Sequence, residues 1–179
     1  AIASNAGHVL HAGQRIANVV RGLLSFARED GETRSPARVA YIVNDTLSLM
    51  RHSLAKDNIA LEVAEDLGEL PTVNCQSQQI QQVLMNVLSN ARDALNARFP
   101  GAHDDKRVQI SGRSFKNEGK PWVRLTIQDH GVGMDAEASE HVFEPFYTTK
   151  SRSQGSGLGL AVSHGIIAEH EGEMSLESV

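Results

Sequence analysis

Between Ile2 and Ala27 the apolar positions recur at steps of four and three: Ile2, Ala6, Val9, Gly13, Ile16, Val20, Leu23 and Ala27, with Leu10, Ala17 and Leu24 widening the stripe. That rhythm predicts one long helix over residues 2–27 whose seam asks for a partner helix, in this chain or in another. The polar run from Glu29 to Ser35, with Gly31 inside it and Pro36 behind it, predicts a linker. A second amphipathic helix follows, with Val39, Ile42, Val43, Thr46, Leu47, Met50 and Leu54 on one face. Ile59, Leu61 and Val63 alternate as a short strand, and Leu70 to Cys75 is another, interrupted at its start by Pro71. Residues 76–97 carry a third helical stripe: Ile80, Val83, Leu84, Val87, Leu88, Ala91 and Leu95. Two further strands, Val108 to Phe115 and Val123 to Asp129, flank the turn Asn117-Glu118-Gly119-Lys120 and predict a hairpin. From Asp135 to Gly157 the chain is mostly polar, a long loop with one short helix; Leu158 to His170 is a last helix and Glu173 to Val179 a last strand. Beyond the linker this is a helix-on-sheet α+β arrangement.

Composition narrows the classes. With 17 basic and 22 acidic residues the net charge is −5, so there is no electrostatic case for nucleic acid. Hydrophobic residues at 40% are enough for a core within 179 residues. Cys75 is the only cysteine, which excludes an internal disulfide and points to a reducing compartment. No apolar run approaches the ~20 residues needed to span a bilayer, and no signal peptide is visible. The start at Ala1 without a methionine implies a piece of something longer.

Three stretches break their local patterns. On the third helix Asn86, Asn90 and Asp93 form one polar stripe beside the core. Asparagine is a poor helix former, and such a stripe reads either as a solvated face or as a set of hard oxygen donors suited to Mg²⁺. The strand from Val123 places Asp129 on the same parity as Val123, Leu125 and Ile127, then follows it with Gly131 and Gly133. An acid on an apolar face needs a partner; a carboxylate there can accept from an exocyclic amine such as that of adenine, and glycines let backbone approach a flat ligand. The third stretch, Gly155-Ser156-Gly157-Leu158-Gly159-Leu160, lacks the Gly-Lys-Ser/Thr of a Walker A loop. It is a glycine turn opening a helix, either a plain entry turn or a place where free N–H groups favour phosphate.

Taken in order, the asparagine helix, Asp129-His130-Gly131-Val132-Gly133-Met134, the segment Phe143 to Lys150 and the glycine turn resemble the N, G1, F and G2 boxes of sensor histidine kinases. The resemblance covers roughly residues 36–179, and the first helix is similar to the second helix of that family's dimerisation hairpin. It implies an α+β fold of the GHKL superfamily: a two-layer α/β sandwich, a mixed sheet with helices on one face, preceded by a long coiled-coil-like helix. The implied division is a hairpin helix over 1–30, a linker over 31–37 and an ATP-binding catalytic domain over 38–179.

The same resemblance implies roles. Asn90 would hold Mg²⁺ bridging the phosphates of ATP or ADP, with Asn86 on the same face as a second catalytic position and Asp93 beside the nucleotide. Asp129 would read the adenine amine, with Gly131 and Gly133 leaving space for the base and Met134 against it. Phe146 and Lys150 belong to a segment that, up to Gly155, would form a mobile ATP lid. Gly155, Gly157, Leu158, Gly159 and Leu160 would hold the phosphate end. Asp93 stands where many relatives have a basic residue, so the phosphate cation is left between Arg92 and Lys150. His130, where the family more often has Asn or Asp, reads as an exposed turn residue.

None of the eight histidines has the phosphoacceptor context of His-Glu or His-Asp with a nearby proline. His8, His11 and His170 all lack it, so the acceptor helix is expected before Ala1. The implied function is transfer of the ATP γ-phosphate to a histidine on that helix, the piece alone being inactive for autophosphorylation. A homodimer through the N-terminal helix and a response-regulator receiver domain are the implied partners. The implied location is the bacterial cytoplasm, as a free protein or as the cytoplasmic part of a membrane-bound sensor. Three alternatives stand beside this: a GHKL-type ATPase, a nucleotide-binding regulatory module without catalysis, and an anti-sigma-type serine kinase, which the seam helix disfavours. The ATPases carry a glutamate base four residues before the metal asparagine; here that position is Asn86, an amide that cannot take a proton.

Overall fold

A computed structural model describes residues 33–150 and 155–178. Among them, 33–135 with 177–178 form one compact unit and 136–150 with 155–176 a second. The helix expected over 2–27 lies outside the described residues.

The first unit is built on a hairpin. Strand β4 (Arg107–Asn117) and strand β5 (Lys120–Asp129) run antiparallel from Asn117↔Lys120 to Val108↔Asp129. Glu118 and Gly119 both take positive φ, 49° and 79°, the two-residue turn whose twist matches that of the strands it joins. Strand β2 (Ala60–Val63) adds parallel to β4, so the three-stranded sheet is mixed. Val108 and Ile110 are buried on its inner face, with Val123, Leu125 and Ile127 of β5 packed against the same core.

Two helices cover that face. Helix α1 (Val39–Lys56) buries Val39, Ile42, Val43, Thr46, Leu47, Met50 and Leu54, the stripe expected from the sequence. Its end is a left-handed stop: Asn58 takes φ 55°, Asn58 N–H donates to the Ala55 carbonyl and Ile59 N–H reaches back to that of Leu54. Helix α2 (Ser77–Arg98) buries Val83, Leu84, Leu88, Ala91 and Leu95. Full burial of a Leu such as Leu88 or Leu95 is worth about 1.5–3 kcal/mol, so these two stripes dominate the cohesion of the unit. A short 3₁₀ turn (Glu65–Glu69) closes the layer. Gly112 lies close against it: an added Cβ would come within 2.7 Å of Leu70 Cδ1 and 2.8 Å of Leu67 Cδ2, so those side-chain ends would have to shift.

Two sequence expectations change. Strand β1 (Ser35–Arg38) overlaps the end of the stretch read as linker and pairs antiparallel with strand β3 (Thr72–Cys75). Its Pro36, which cannot donate to a ladder, sits in a two-stranded ribbon, where a strand has an open edge. Conversely, Glu173 onwards does not form the expected strand: among the described residues, 173–178 join no sheet. Alternation chooses the faces of an extended chain, but a ladder also needs a neighbour.

The second unit contains helix α3 (Ala136–His141) and helix α4 (Gly159–Glu169). It buries Ala138, Val142, Leu158, Ala161, Val162, Ser163 and Ile166. Glu171 ends α4 at φ 58°, with Gly172 N–H bonded to the Ile167 carbonyl at 2.9 Å.

Candidate functional site

Helix α2 has three faces. The core stripe holds it to the sheet, and Asn86, Asn90 and Asp93 lie half-buried along a second line. A third line is committed elsewhere. Arg92 Nε and Asn96 Nδ2 both donate to Asp57 Oδ2, at 2.5 and 2.7 Å, tying α2 to the end of α1. The hydrogen bond from Arg92, then that from Asn96, holds the Asp57 carboxyl below its ordinary value against the opposing effect of burial. Arg92, one of the two candidates for the phosphate cation, uses its Nε here as a brace between helices.

Asp129 closes β5 opposite Val108, on the parity of the buried residues but at the end of the sheet, where its side chain is exposed. Its Oδ1 accepts from the N–H of Gly131 at 2.8 Å, so one carboxylate oxygen sets the turn that follows. Gly131 is buried. A Cβ there would meet Ala94 Cβ at 2.5 Å and the Ala94 carbonyl carbon at 2.8 Å. The missing side chain at 131 thus lets the turn lie directly on α2, while Gly133 is exposed and takes φ 68°. Met134 N–H donates to Ser178 Oγ at 2.7 Å, fixing the far end of the segment. His130, expected to be exposed, is half-buried; its carbonyl accepts from Arg98 Nη1 at 3.0 Å.

In the second unit the two remaining motifs zip together. Phe146 N–H donates to the Gly157 carbonyl at 2.9 Å. Phe146 stands at φ 69° and Gly157 at φ 66°, and a Cβ on Gly157 would strike the Phe146 backbone. One turn outward, a Cβ on Gly155 would lie 2.6 Å from Thr148 Oγ1. Phe146 is 67% exposed, an unusual position for a large aromatic residue. Leu158 is buried in its own unit, while Gly159 and Leu160, at the first turn of α4, are half-buried. First-turn N–H groups lack intrahelical partners, the arrangement that suits an anion. In the same unit the Phe143 and His164 rings lie tilted by 33° with their centroids 5.0 Å apart. His141 Nδ1 meets Glu144 Oε1 at 2.8 Å, which raises the imidazole above its usual range.

The structure therefore brings the expected residues together in two groups. Asn86, Asn90, Asp93, Asp129, Gly131, Gly133 and Met134 belong to the first unit; Phe146, Lys150, Gly155, Gly157, Leu158, Gly159 and Leu160 belong to the second. Sequence reasoning missed Asp57, Asn96 and Arg98, which hold α2 and the turn after β5 in place. The detectable signal for Arg98 was its spacing, four residues past Ala94 and eight past Asn90.

As a donor set, two amides and a carboxylate on one helix line fit Mg²⁺, a hard cation that takes oxygen ligands and keeps several waters. When bound there it would supply neutralisation of phosphate charge. Among the described residues no helix is long and apolar enough to cross a membrane.

Known proteins are similar to this chain. The chain is 29% identical over 168 residues to the sensor protein TdiS of Thauera aromatica, covering 94% of this chain and 28% of that protein. It is 29% identical over 165 residues to sporulation kinase E of Bacillus subtilis, covering 92% and 21% respectively. The chain thus spans about a quarter of the length of these relatives. A solved structure, the catalytic domain of histidine kinase ThkA, superposes with a TM-score of 0.58 at 27% identity, covering 78% of this chain and 82% of that one. The family model described as histidine kinase-, DNA gyrase B- and HSP90-like ATPase matches residues 75–179, more than half of the chain, and the protein belongs to that family.

Proposed function

We propose that residues 38–179 are the ATP-binding catalytic domain of a two-component sensor histidine kinase, which transfers the γ-phosphate of Mg²⁺-ATP to a histidine on a dimerisation helix. The observation that carries this reading is the end of β5. Asp129 spends one oxygen on Gly131 N–H, and the turn it sets is seated on Ala94, one turn beyond Asn90. In this reading the base-reading carboxylate and the metal-binding amide are both referred to helix α2, one through the turn seated on Ala94 and the other directly. Phosphoryl transfer depends chiefly on such positioning and on charge neutralisation.

Within this reading Asn90 holds the Mg²⁺, Asn86 and Asp93 line the same side, and the first turn of α4 with Gly155, Gly157, Leu158, Gly159 and Leu160 takes the phosphates. Lys150 and Arg92, whose Nε also pairs with Asp57, are the candidate phosphate cations. The segment 145–156 serves as the lid. Residues 1–30 supply the second hairpin helix and a homodimer contact, 31–37 the connection, and a response-regulator receiver domain takes the phosphoryl group onward in the bacterial cytoplasm. Asn86 in place of a carboxylate base disfavours hydrolysis and hence the ATPase alternative.

The test is Asp129→Asn. The amide keeps an oxygen for Gly131 N–H, so the turn survives, but it replaces the other acceptor with a donor. ADP affinity measured by calorimetry should fall by at least about tenfold, or ~1.4 kcal/mol. Unchanged affinity would remove the assignment.

A further inference from the structure

The residue that fastens the base-reading turn is at the other end of the helix stripe. Asn90, Ala94 and Arg98 follow one another at steps of four, so they lie in line along α2. Arg98 Nη1 donates to the carbonyl of His130 at 3.0 Å and to that of Gly131 at 3.1 Å. Its guanidinium carbon lies 5.2 Å from the centroid of the Phe99 ring, and Phe99 packs against the hydrophobic core. The guanidinium is therefore held on an aromatic plane whose own position is set by the core.

The contacts form a closed circuit. Asp129 Oδ1 depends on where Gly131 N–H points. Gly131 is stopped from below by Ala94 and gripped through its carbonyl by Arg98. The carbonyl of His130, one residue nearer to Asp129, is held by the same nitrogen. Loss of the Arg98 donors frees the peptide that carries Gly131 N–H, through the His130 carbonyl, and the peptide after it, and with them the direction of the Asp129 carboxylate.

We propose that Arg98 is a positioning residue for adenine recognition: through the carbonyls of His130 and Gly131 it fixes the carboxylate of Asp129 at the angle that reads an exocyclic amine. This rests on the nucleotide-binding function proposed above. It adds that selectivity for the base is set partly from the last turn of α2, by a side chain that need not touch the nucleotide. A cation in the last turn of a helix also stabilises the helix itself, so the test must separate stability from selectivity.

Arg98→Met keeps the aliphatic stem over Phe99 and removes every donor. The whole chain is used, with affinities for ADP and for inosine diphosphate, which carries an oxo group in place of the amine, measured by calorimetry beside the thermal midpoint. In the unsubstituted protein ADP should be preferred, and Asp129→Asn should abolish that preference. Arg98→Met should reduce the ADP-to-inosine-diphosphate ratio about fivefold, the equivalent of one good hydrogen bond. Combined with Asp129→Asn it should add no further loss of selectivity, since both act on the same carboxylate. A lowered midpoint with the ratio intact, or equal weakening of both nucleotides, would overturn the proposal and leave Arg98 a purely structural residue. If Asp129→Asn itself leaves the ratio unchanged, the nucleotide reading is at fault and the role of Arg98 falls with it.

Discussion

Asp57→Asn probes the brace that sets the rotational phase of α2. The substitution keeps the shape of the side chain and removes its charge. Asp57 Oδ2 accepts from Arg92 Nε at 2.5 Å and Asn96 Nδ2 at 2.7 Å, with the Asp57 side chain 17% and the Arg92 side chain 34% exposed. A hydrogen bond to a charged group is worth about 1.5–3 kcal/mol when sheltered. Solvent screening at the exposed side of Arg92 pulls that contact toward the ~0.2–1 kcal/mol of surface pairs. The Asn96 contact adds about 0.5–1.5 kcal/mol, part of which the amide oxygen of the variant retains. The expected cost is therefore about 1–2 kcal/mol, which lowers the urea midpoint by roughly 0.5–1 M at the m-values usual for a small domain. Because Asp57 is held below its ordinary value of 3.8, its contribution is fully present above that pH and disappears as pH falls through the lowered folded-state value. The difference between the two proteins should be full at neutral pH and should close in acid. Equal midpoints at pH 7, or a gap that persists unchanged at the lowest pH where the fold survives, would refute the reasoning.

Asn90→Ala should weaken ATP binding chiefly when Mg²⁺ is present, because an oxygen ligand is lost and no base contact; calorimetry with and without chelator decides, and equal losses in both would mean that α2 itself was damaged. Gly157→Ala places a methyl group against the Phe146 backbone at φ 66°, so it should destabilise the second unit by about 1–3 kcal/mol, read as faster amide exchange along residues 155–169. Unchanged exchange there would show that the Phe146–Gly157 contact is not needed to hold that turn.

How much of this was legible in the sequence depends on how far apart in the chain the deciding contacts lie. The stripe of α1 was readable residue by residue, since a helix that buries one face must repeat its apolar positions at that period. The hairpin was readable from Asn117 to Lys120, because alternation and a Glu-Gly turn are both local. Strand β1 was not. Four residues with a proline and little apolar content are a strand only because Thr72–Cys75, more than thirty residues later, comes to lie beside them. The parallel pairing of β2 with β4 likewise follows from how the helices fold over the sheet and has no trace in either strand alone.

The site divides the same way. Motifs whose meaning is local, the acid-and-glycine turn after β5 and the glycine turn before α4, stood out because each breaks the pattern it interrupts. Residues that work by choosing a distant partner did not. Asp57 looks like any polar residue after a helix, Arg92 like a phosphate cation, and Arg98 like a cation placed at a helix end. Tertiary structure assigns Arg92 to Asp57 and Arg98 to the carbonyls beyond β5. Both assignments act on α2: one pins its face toward α1, and the other fastens the turn that follows Asp129. A helix with a ligand stripe must have its rotation fixed by contacts on its other faces, since a ligand oxygen displaced by an ångström is no longer a ligand. The polar side chains that sequence motifs leave unexplained on such a helix are therefore the first place to look for what holds a site in register.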